Sequence, residues 1–312
     1  MSKFLSVMMA ATAAVALTTT VVKADDYPSK PVKIVVPYAP GGTTDNTVRV
    51  IAEGLKDQLG TVVISNVSGG GGVVGMAQAL QGAPDGYTVG MYLSNTLVGM
   101  ATGVAPFGAD AIEPACMYGD APLTFTINGG TDAKTIADVV DKGSTTAAIE
   151  RGTLSQFAGL MLNEQLGGKL ELVNVGVGAE KRAAVLGGHV TALVDPVPAV
   201  VGDYKAGELS ILAVLTDERL PGLPEVATAK EQGIDVALSQ SNGFMFPAGT
   251  PKPVVDTFCS ALKAVTESED FKSKMKAMNL EVVYRDGEDY ARYMDKLLDR
   301  ITKLAKDQGY AQ

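Results

Sequence analysis

Short β-branched runs alternate with amphipathic segments and glycine-rich turns along most of the chain, and this alternation restricts the fold more than any other feature. The run 31–37 predicts a strand, apolar residues at helical spacing over 48–59 predict a helix, and 61–66 predicts the next strand. A helix ending near residue 80 and a strand over 87–93 follow. Because the connections are short, this β-α-β-α-β unit predicts a parallel sheet covered by helices.

A second unit of the same kind begins near residue 145, and the chain is mostly helical from residue 252 onward. A length of 312 residues leaves room for two domains. The sequence therefore predicts an α/β protein with two lobes and a helical tail. The predicted strands of the second unit cover 145–149, 170–175, 190–194 and 211–215, and its helices cover 154–166, 180–186 and about 199–204.

The first 24 residues have the pattern of a secretory signal peptide. Lys3 precedes an apolar stretch from Phe4 to Leu17, and the segment ends in the small-residue motif Val22-Lys23-Ala24. A retained membrane anchor is the alternative interpretation. No later stretch approaches the roughly 18 uninterrupted apolar residues of a membrane span, so we expect a soluble mature protein exported to the periplasm.

Composition and missing motifs exclude several functions. A net charge of −9 argues against nucleic-acid binding, because a phosphate backbone requires clustered Lys and Arg. One histidine, and no G-x-S-x-G, H-E-x-x-H or C-x-x-C motif, argue against a metal site and against an enzyme such as a hydrolase or lyase. Residues 70–75 formally match G-x-G-x-x-G, but no acidic residue follows between Gly86 and Ala109, so we expect no dinucleotide cofactor.

The first candidate corner, residues 37–45, lies between a strand and a helix. Gly41 and Gly42 expose backbone N–H groups where the positive end of the following helix points, which is an arrangement that binds anions. Thr43 adds a hydroxyl, and Asp45 either caps the helix or restrains the loop. The alternative is a tight turn with an ordinary cap. Tyr38 in this corner is also a candidate, as is Ser94 after the third strand.

The second candidate corner, residues 150–156, repeats this arrangement. Thr153 or Ser155 caps the helix and leaves amides free, with Gly152 beside them. Arg151 either forms a bidentate pair with a carboxylate or is an exposed partner of Glu150 or Glu180. Asp195 follows the strand 190–194, where it either accepts a hydrogen bond from a ligand hydroxyl or amine or holds loop amides.

Several motifs together resemble one known family. The run YPSKPVKIVVPYAPGGTTD, then SGGGGVVG and APDGYTV, is similar to the Bug family, the extracytoplasmic solute receptors of tripartite tricarboxylate transporters. The resemblance continues through LGGHVTALVD, YKAGELSILAV, ERLPGLPEVATAKEQG and FPAGTPKPVV, which covers nearly the whole mature chain.

This resemblance implies a two-lobed periplasmic binding protein (Venus-flytrap) fold, in which each lobe is a mainly parallel sheet flanked by helices. The lobes would comprise residues 25–125 plus 245–312, and residues 126–244. It also implies a receptor that captures a small mono-, di- or tricarboxylate for membrane permease subunits, without catalysis. A sensor that signals to a membrane kinase is the alternative with the same fold. We expect a monomer. The ligand-binding candidates are Tyr38, Gly41, Gly42, Thr43, Asp45, Ser94, Arg151, Gly152, Thr153, Ser155 and Asp195.

The chain departs from the family pattern at three places near the expected pocket. Residues 174–178 lack an aromatic residue and a lysine, residues 241–244 lack a tryptophan, and Glu150-Arg151 replaces a small, polar pair. By the resemblance, the tail helix that carries Cys259 returns to the first lobe, which also contains Cys116. The two cysteines therefore either form a disulfide or remain free thiols.

Overall fold

The computed structural model describes residues 27–310, except residues 142, 177 and 279. The predicted signal peptide over residues 1–24 therefore lies outside the described residues. No helix of the described part is long and apolar enough to cross a bilayer. The first unit contains β1 (Val32–Val36), α1 (Thr43–Leu59), β2 (Val62–Asn66), α2 (Val73–Leu80), β3 (Thr88–Leu93) and α3 (Ser94–Ala101).

A long strand, β4 (Ile112–Asn128), leads from the first unit to the second. The second unit contains α4 (Ala137–Val140), β5 (Thr145–Ile149), α5 (Leu154–Gln165), β6 (Leu170–Asn174), α6 (Gly178–Leu186), β7 (Ala192–Pro196), α7 (Val197–Lys205) and β8 (Leu209–Val214). The C-terminal part contains β9 (Ser239–Pro247), α8 (Lys252–Glu267), α9 (Glu269–Ala277), β10 (Glu281–Arg285) and α10 (Gly287–Asp307).

The strands form two mixed sheets that share β4. In the first sheet β1 pairs in parallel with β2 and β3, while β9, β10 and residues 112–122 of β4 add antiparallel strands. In the second sheet β5 pairs in parallel with β6 and β7, while residues 123–128 of β4 pair antiparallel with β7 and β8. The parallel strands are those expected from the two units. Of the antiparallel strands, β8 was expected as a strand over 211–215, whereas β4, β9 and β10 were not anticipated.

The chain passes between the two sheets beside Leu123. The Leu123 N–H donates to the Leu238 carbonyl at 3.1 Å, and the Leu215 N–H donates to the Leu123 carbonyl at 2.8 Å. Residues 215–238 therefore return to the strand that left the first sheet. We propose two lobes with crossings near residues 122–123 and 238–239, close to the boundaries 125 and 245 expected from the sequence.

The C-terminal helices pack mainly on the first sheet. Helix α8 buries an apolar stripe that includes Val254, Phe258 and Leu262, and it packs against α1 and β4. Helix α10 packs against α3 and β4, with the Tyr290 hydroxyl donating to the Tyr92 carbonyl. The tail therefore packs on elements of the first sheet, and its assignment to the first lobe stays a prediction.

Cys116 and Cys259 form a disulfide that ties this tail to the first sheet. Cys116 lies in β4 and Cys259 in α8, and their Cα atoms are 5.8 Å apart. Both residues are buried within the apolar core between the sheet and α8. Of the two alternatives that the sequence left open, the structure therefore has the disulfide.

Candidate functional site

A cavity of about 610 Å³ is bordered by both predicted corners. Tyr38, Gly42 and Thr43 line it from the first corner, and Glu150 and Thr153 line it from the second. The corners meet there because the carboxyl ends of the parallel strands β1 and β5 lead directly into α1 and α5. The volume lies within the range of roughly 300–1,000 Å³ typical of sites for small molecules. We therefore take this cavity as the candidate site.

The N-terminus of α1 presents unpaired backbone donors to this cavity. Gly42 is the N-cap residue, and no side chain caps the helix. The Asn46 N–H bonds to the Gly42 carbonyl, whereas the N–H groups of Thr43 and Thr44 have no hydrogen-bond partner among the described residues. Since the helix dipole adds partial positive charge at this end, the first corner suits an anionic group.

Asp45 shapes the first corner from inside. Its Oδ2 accepts from the Gly41 N–H at 2.8 Å and from the Arg49 Nε at 2.9 Å, and its Oδ1 accepts from the Asn66 Nδ2 at 2.9 Å. The hydrogen bond from Arg49 is the main reason that the pKa of Asp45 falls to about 2, and the bonds from Gly41 and Asn66 lower it further. With both oxygens occupied, Asp45 restrains the loop, which was one of the two roles considered for it.

The second corner is linked to the first lobe by an amide side chain. The Asn95 Oδ1 in α3 accepts from the Leu154 N–H at the start of α5, at 3.2 Å. The Thr153 Oγ1 donates to the Glu150 carbonyl at 2.8 Å, and the Gly152 N–H donates to the Gln156 Oε1 at 2.8 Å. Part of the donor capacity of this corner is therefore used within the protein.

A buried ion pair lies beneath the second corner. The Lys181 Nζ donates to the Asp195 Oδ1 at 2.6 Å and to the Ser155 Oγ at 3.2 Å, and Lys181 is fully buried. The Ser155 Oγ donates in turn to the Val194 carbonyl at 2.5 Å. Burial raises the pKa of Asp195, and the charge of Lys181 opposes that rise. Lys181 compensates the charge of the carboxylate that borders the cavity.

Glu281, which is exposed, and Glu150 both border the cavity without an ion pair among the described residues. Glu150 is the one that belongs to the second corner. Its half-buried side chain forms no hydrogen bond or ion pair with the rest of the described chain. Burial raises the pKa of Glu150, Asp195 and Glu180 raise it further, and Lys181 lowers it. None of the described residues that line the cavity is Lys, Arg or His.

The predicted site residues fall into two groups. Five border the cavity: Tyr38, Gly42, Thr43, Thr153 and Asp195. The other six lie outside its lining: Gly41, Asp45, Ser94, Arg151, Gly152 and Ser155. Contact of any of the eleven with a ligand stays a prediction.

Two of the outer group have defined surroundings. The Ser94 Oγ accepts from the Ser241 N–H at 2.9 Å and so ties α3 to β9. The Arg151 side chain is exposed to solvent. A bidentate contact from Arg151 would therefore require its side chain to turn toward the cavity.

Sequence reasoning missed several groups at the site. Asn95 and Gly71 line the cavity, and Lys181 supports it from below. A Cβ atom at Gly71 would lie 3.5 Å from the Gly152 carbonyl, so the glycine-rich turn lies against the second corner. The helical spacing of Lys181 and Val185 was the available signal for Lys181, because Val185 is buried on the same face of α6.

Comparison with known proteins gives a consistent result. The family model for the tripartite tricarboxylate transporter family receptor, TctC, matches residues 47–310. Protein BugT of Bordetella pertussis is 31% identical over 249 residues, which are 75% of this chain and 76% of BugT. The periplasmic binding protein BugD is 29% identical, and its structure superposes with a TM-score of 0.76 over 91% of this chain and 99% of BugD.

A TctC solute-binding protein from Polaromonas, solved without ligand, has a TM-score of 0.80 at 23% identity. The superposition covers 90% of this chain and 99% of the Polaromonas protein. This likeness confirms the predicted α/β periplasmic binding protein fold. The family match, which spans most of the chain, also confirms the resemblance that the sequence motifs indicated. The chain belongs to the TctC family of tripartite tricarboxylate transporter receptors.

Proposed function

We propose that this protein captures a small organic carboxylate in the cavity between its two lobes and delivers it to the permease subunits of a tripartite transporter. The proposal places the protein in the periplasm, with residues 1–24 as its export signal. The observation that carries it is the uncapped N-terminus of α1, where the N–H groups of Thr43 and Thr44 lack partners beside the cavity.

A carboxylate fits this place for electrostatic reasons. The protein has a net charge of −9, so its overall field repels anions and attraction must come from local dipoles. The first turn of α1 supplies such a dipole together with directed hydrogen bonds. Asp45 is close by in sequence, but the charge of Asp45 is compensated by Arg49, and its carboxylate accepts from the loop at Gly41. An anion at Gly42 and Thr43 would therefore meet donors rather than an unpaired carboxylate.

Proteins of the same fold are known with carboxylates bound. MatC of Rhodopseudomonas palustris was solved with malate at 22% identity to this chain, and another protein of that organism was solved with adipate at 23%. At these identities the likeness extends to the fold alone. The ligand class of this chain therefore rests on its own corner at α1.

A thermal-shift screen of mono-, di- and tricarboxylates, with neutral sugars as a comparison, tests the ligand class. A ligand at 100 times its Kd adds about 2.7 kcal/mol of stability, which raises the melting temperature by about 4 °C in a protein of this size. We expect at least one carboxylate to produce such a shift. Shifts with sugars and none across the carboxylates would refute the proposal.

Gly42→Val tests the corner itself. Gly42 has φ of −73°, and an added Cβ would meet only the Ala39 carbonyl, at 3.6 Å, so the variant can fold. Its branched side chain would fill the space beside the α1 donors, and we expect carboxylate binding to weaken more than tenfold. Gly202→Val in α7 is the matched control, since a Cβ there meets nothing within 4 Å. If Gly42→Val binds carboxylates as tightly as Gly202→Val and the wild type do, an anion site at α1 is excluded.

A further inference from the structure

The wall of the cavity at the second corner is acidic. Glu150 and Asp195 both line the cavity there, and the described lining contains no basic side chain. Lys181 pairs with Asp195 from below and neutralises one of the two carboxylates. The charges of Glu150 at this corner and of the exposed Glu281 in β10 remain without a basic partner in the described lining. This is unexpected in a receptor whose ligand is an anion.

Asp195 has an oxygen that lacks a hydrogen-bond donor. Its Oδ1 accepts from Lys181 at 2.6 Å, but its Oδ2 is buried and has no partner among the described residues. Asp195 is only 4% exposed, so water has little access to it. A buried acceptor that stays unpaired costs free energy, and native structures satisfy nearly all such atoms.

Gly178 shows where the missing donor would come from. An added Cβ at Gly178 would lie 3.3 Å from the Asp195 Oδ2, and Gly178 itself lines the cavity. The unpaired oxygen therefore lies directly behind a part of the wall that carries no side chain. A ligand atom resting against Gly178 would come within reach of it.

Glu150 borders the same region from the other side. Tyr38, Glu150 and Asp195 all line this one cavity. The Glu150 side chain has no partner in the described chain that would hold it elsewhere. A cation between Glu150 and Asp195 would relieve both carboxylates.

We propose that the ligand carries an ammonium group in addition to its carboxylate, and that this ammonium donates to Glu150 and to the Asp195 Oδ2. The inference rests on the proposed function, because the carboxylate of the same ligand would lie at the N-terminus of α1. A dicarboxylate would instead place its second negative charge against Glu150. A hydroxyl could satisfy Asp195, but it would leave the charge of Glu150 uncompensated.

Matched ligands separate these three chemistries. The first series consists of straight-chain carboxylates of three to six carbons that differ only in the opposite terminal group, which is methyl, hydroxyl, ammonium or a second carboxylate. The second series compares α-amino acids with α-hydroxy acids of the same carbon skeleton. Isothermal titration at pH 7.5 measures each Kd. We expect the best amino-carboxylate to bind at least tenfold more tightly than its hydroxyl and dicarboxylate counterparts.

Glu150→Gln removes the charge and keeps the size of the side chain. We expect this variant to bind the best amino-carboxylate at least tenfold more weakly, while dicarboxylates bind as well as before or more tightly. Glu171→Gln, in β6 and exposed outside the cavity, is the matched control and should leave every Kd unchanged.

The outcomes distinguish this inference from the proposed function. Tighter binding of a dicarboxylate or hydroxy acid than of its amino counterpart would overturn the ammonium assignment and keep the carboxylate receptor. The same holds if Glu150→Gln leaves the preference for amino-carboxylates intact. If no carboxylate of any kind binds, both proposals fail.

Discussion

The disulfide between Cys116 and Cys259 closes a loop of 143 residues, and breaking it should cost much of the stability of the protein. The perturbation is the double variant Cys116→Ala/Cys259→Ala. Both cysteines are buried, at 0% and 8% exposed, so the variant also removes two sulfur atoms from the core of the first lobe. Reduction of the wild-type protein breaks the same bond without removing those atoms, and it serves as the matched comparison.

The magnitude follows from the loop length. In the chain-entropy model, opening a loop of 143 residues returns about 17 cal/mol/K to the unfolded chain, which is about 5 kcal/mol at 25 °C. With an unfolding entropy of roughly 2.1 cal/mol/K per residue, that loss corresponds to a melting temperature lower by about 8 °C. The double variant should lose somewhat more than the reduced wild type, because its core also loses the packing of the sulfur atoms.

Urea unfolding with and without a reductant measures the difference, and thiol titration in denaturant without reductant checks the bond itself. We expect no free thiol in the wild type. Reduced and oxidised proteins that differ by less than about 1 kcal/mol would refute the loop-entropy reasoning. Two titratable thiols would refute the disulfide.

Three further predictions concern buried charges. Lys181→Met should lower the unfolding free energy by about 3–5 kcal/mol, and Lys181→Met/Asp195→Leu should recover most of that loss. If urea unfolding shows the same loss of free energy in the single and the double variant, the ion pair is contradicted. Burial raises the pKa of Asp120 to about 6, so the folded protein retains a proton that the unfolded chain releases near pH 4. Stability should therefore fall by up to roughly 2–3 kcal/mol between pH 4 and 6, and Asp120→Asn should remove this slope. The pKa of Asp45 is lowered to about 2, chiefly by Arg49, so its contribution is present above pH 4 and is lost as the pH falls through 2. Asp45→Asn should cost about 1–2 kcal/mol at pH 7, with a difference from wild type that disappears near pH 2.

Local sequence determined the two units and the two corners. The β-branched runs and the apolar spacing predicted β1, α1, β5 and α5 to within a few residues, because these elements bury one face at a regular period. The corners followed from the same pattern, since each lies where a parallel strand leads into a helix. The sequence alone therefore located Gly42 and Thr43 at a corner that borders the cavity, while their contact with a ligand stays a prediction.

The long strand β4 could not be identified in this way. Pro114, Gly119 and Pro122 interrupt it and resemble turn signals, yet the strand continues because it pairs with β9 first and with β7 and β8 afterwards. These partners lie about 70 to 130 residues further along the chain, so no local pattern contains them. The antiparallel strands of both sheets depend on such distant pairing.

The chemistry of the second corner was decided by tertiary structure. Lys181 lies 14 residues before Asp195, on the nine-residue helix α6, and only the packing of α6 against the sheet buries the two together. The protonation of Glu150 likewise depends on several elements, because burial and the charges of Lys181, Asp195 and Glu180 together shift its pKa. Local sequence determines secondary structure through periodicity, whereas the charges that a ligand meets are summed over residues that only the fold brings together.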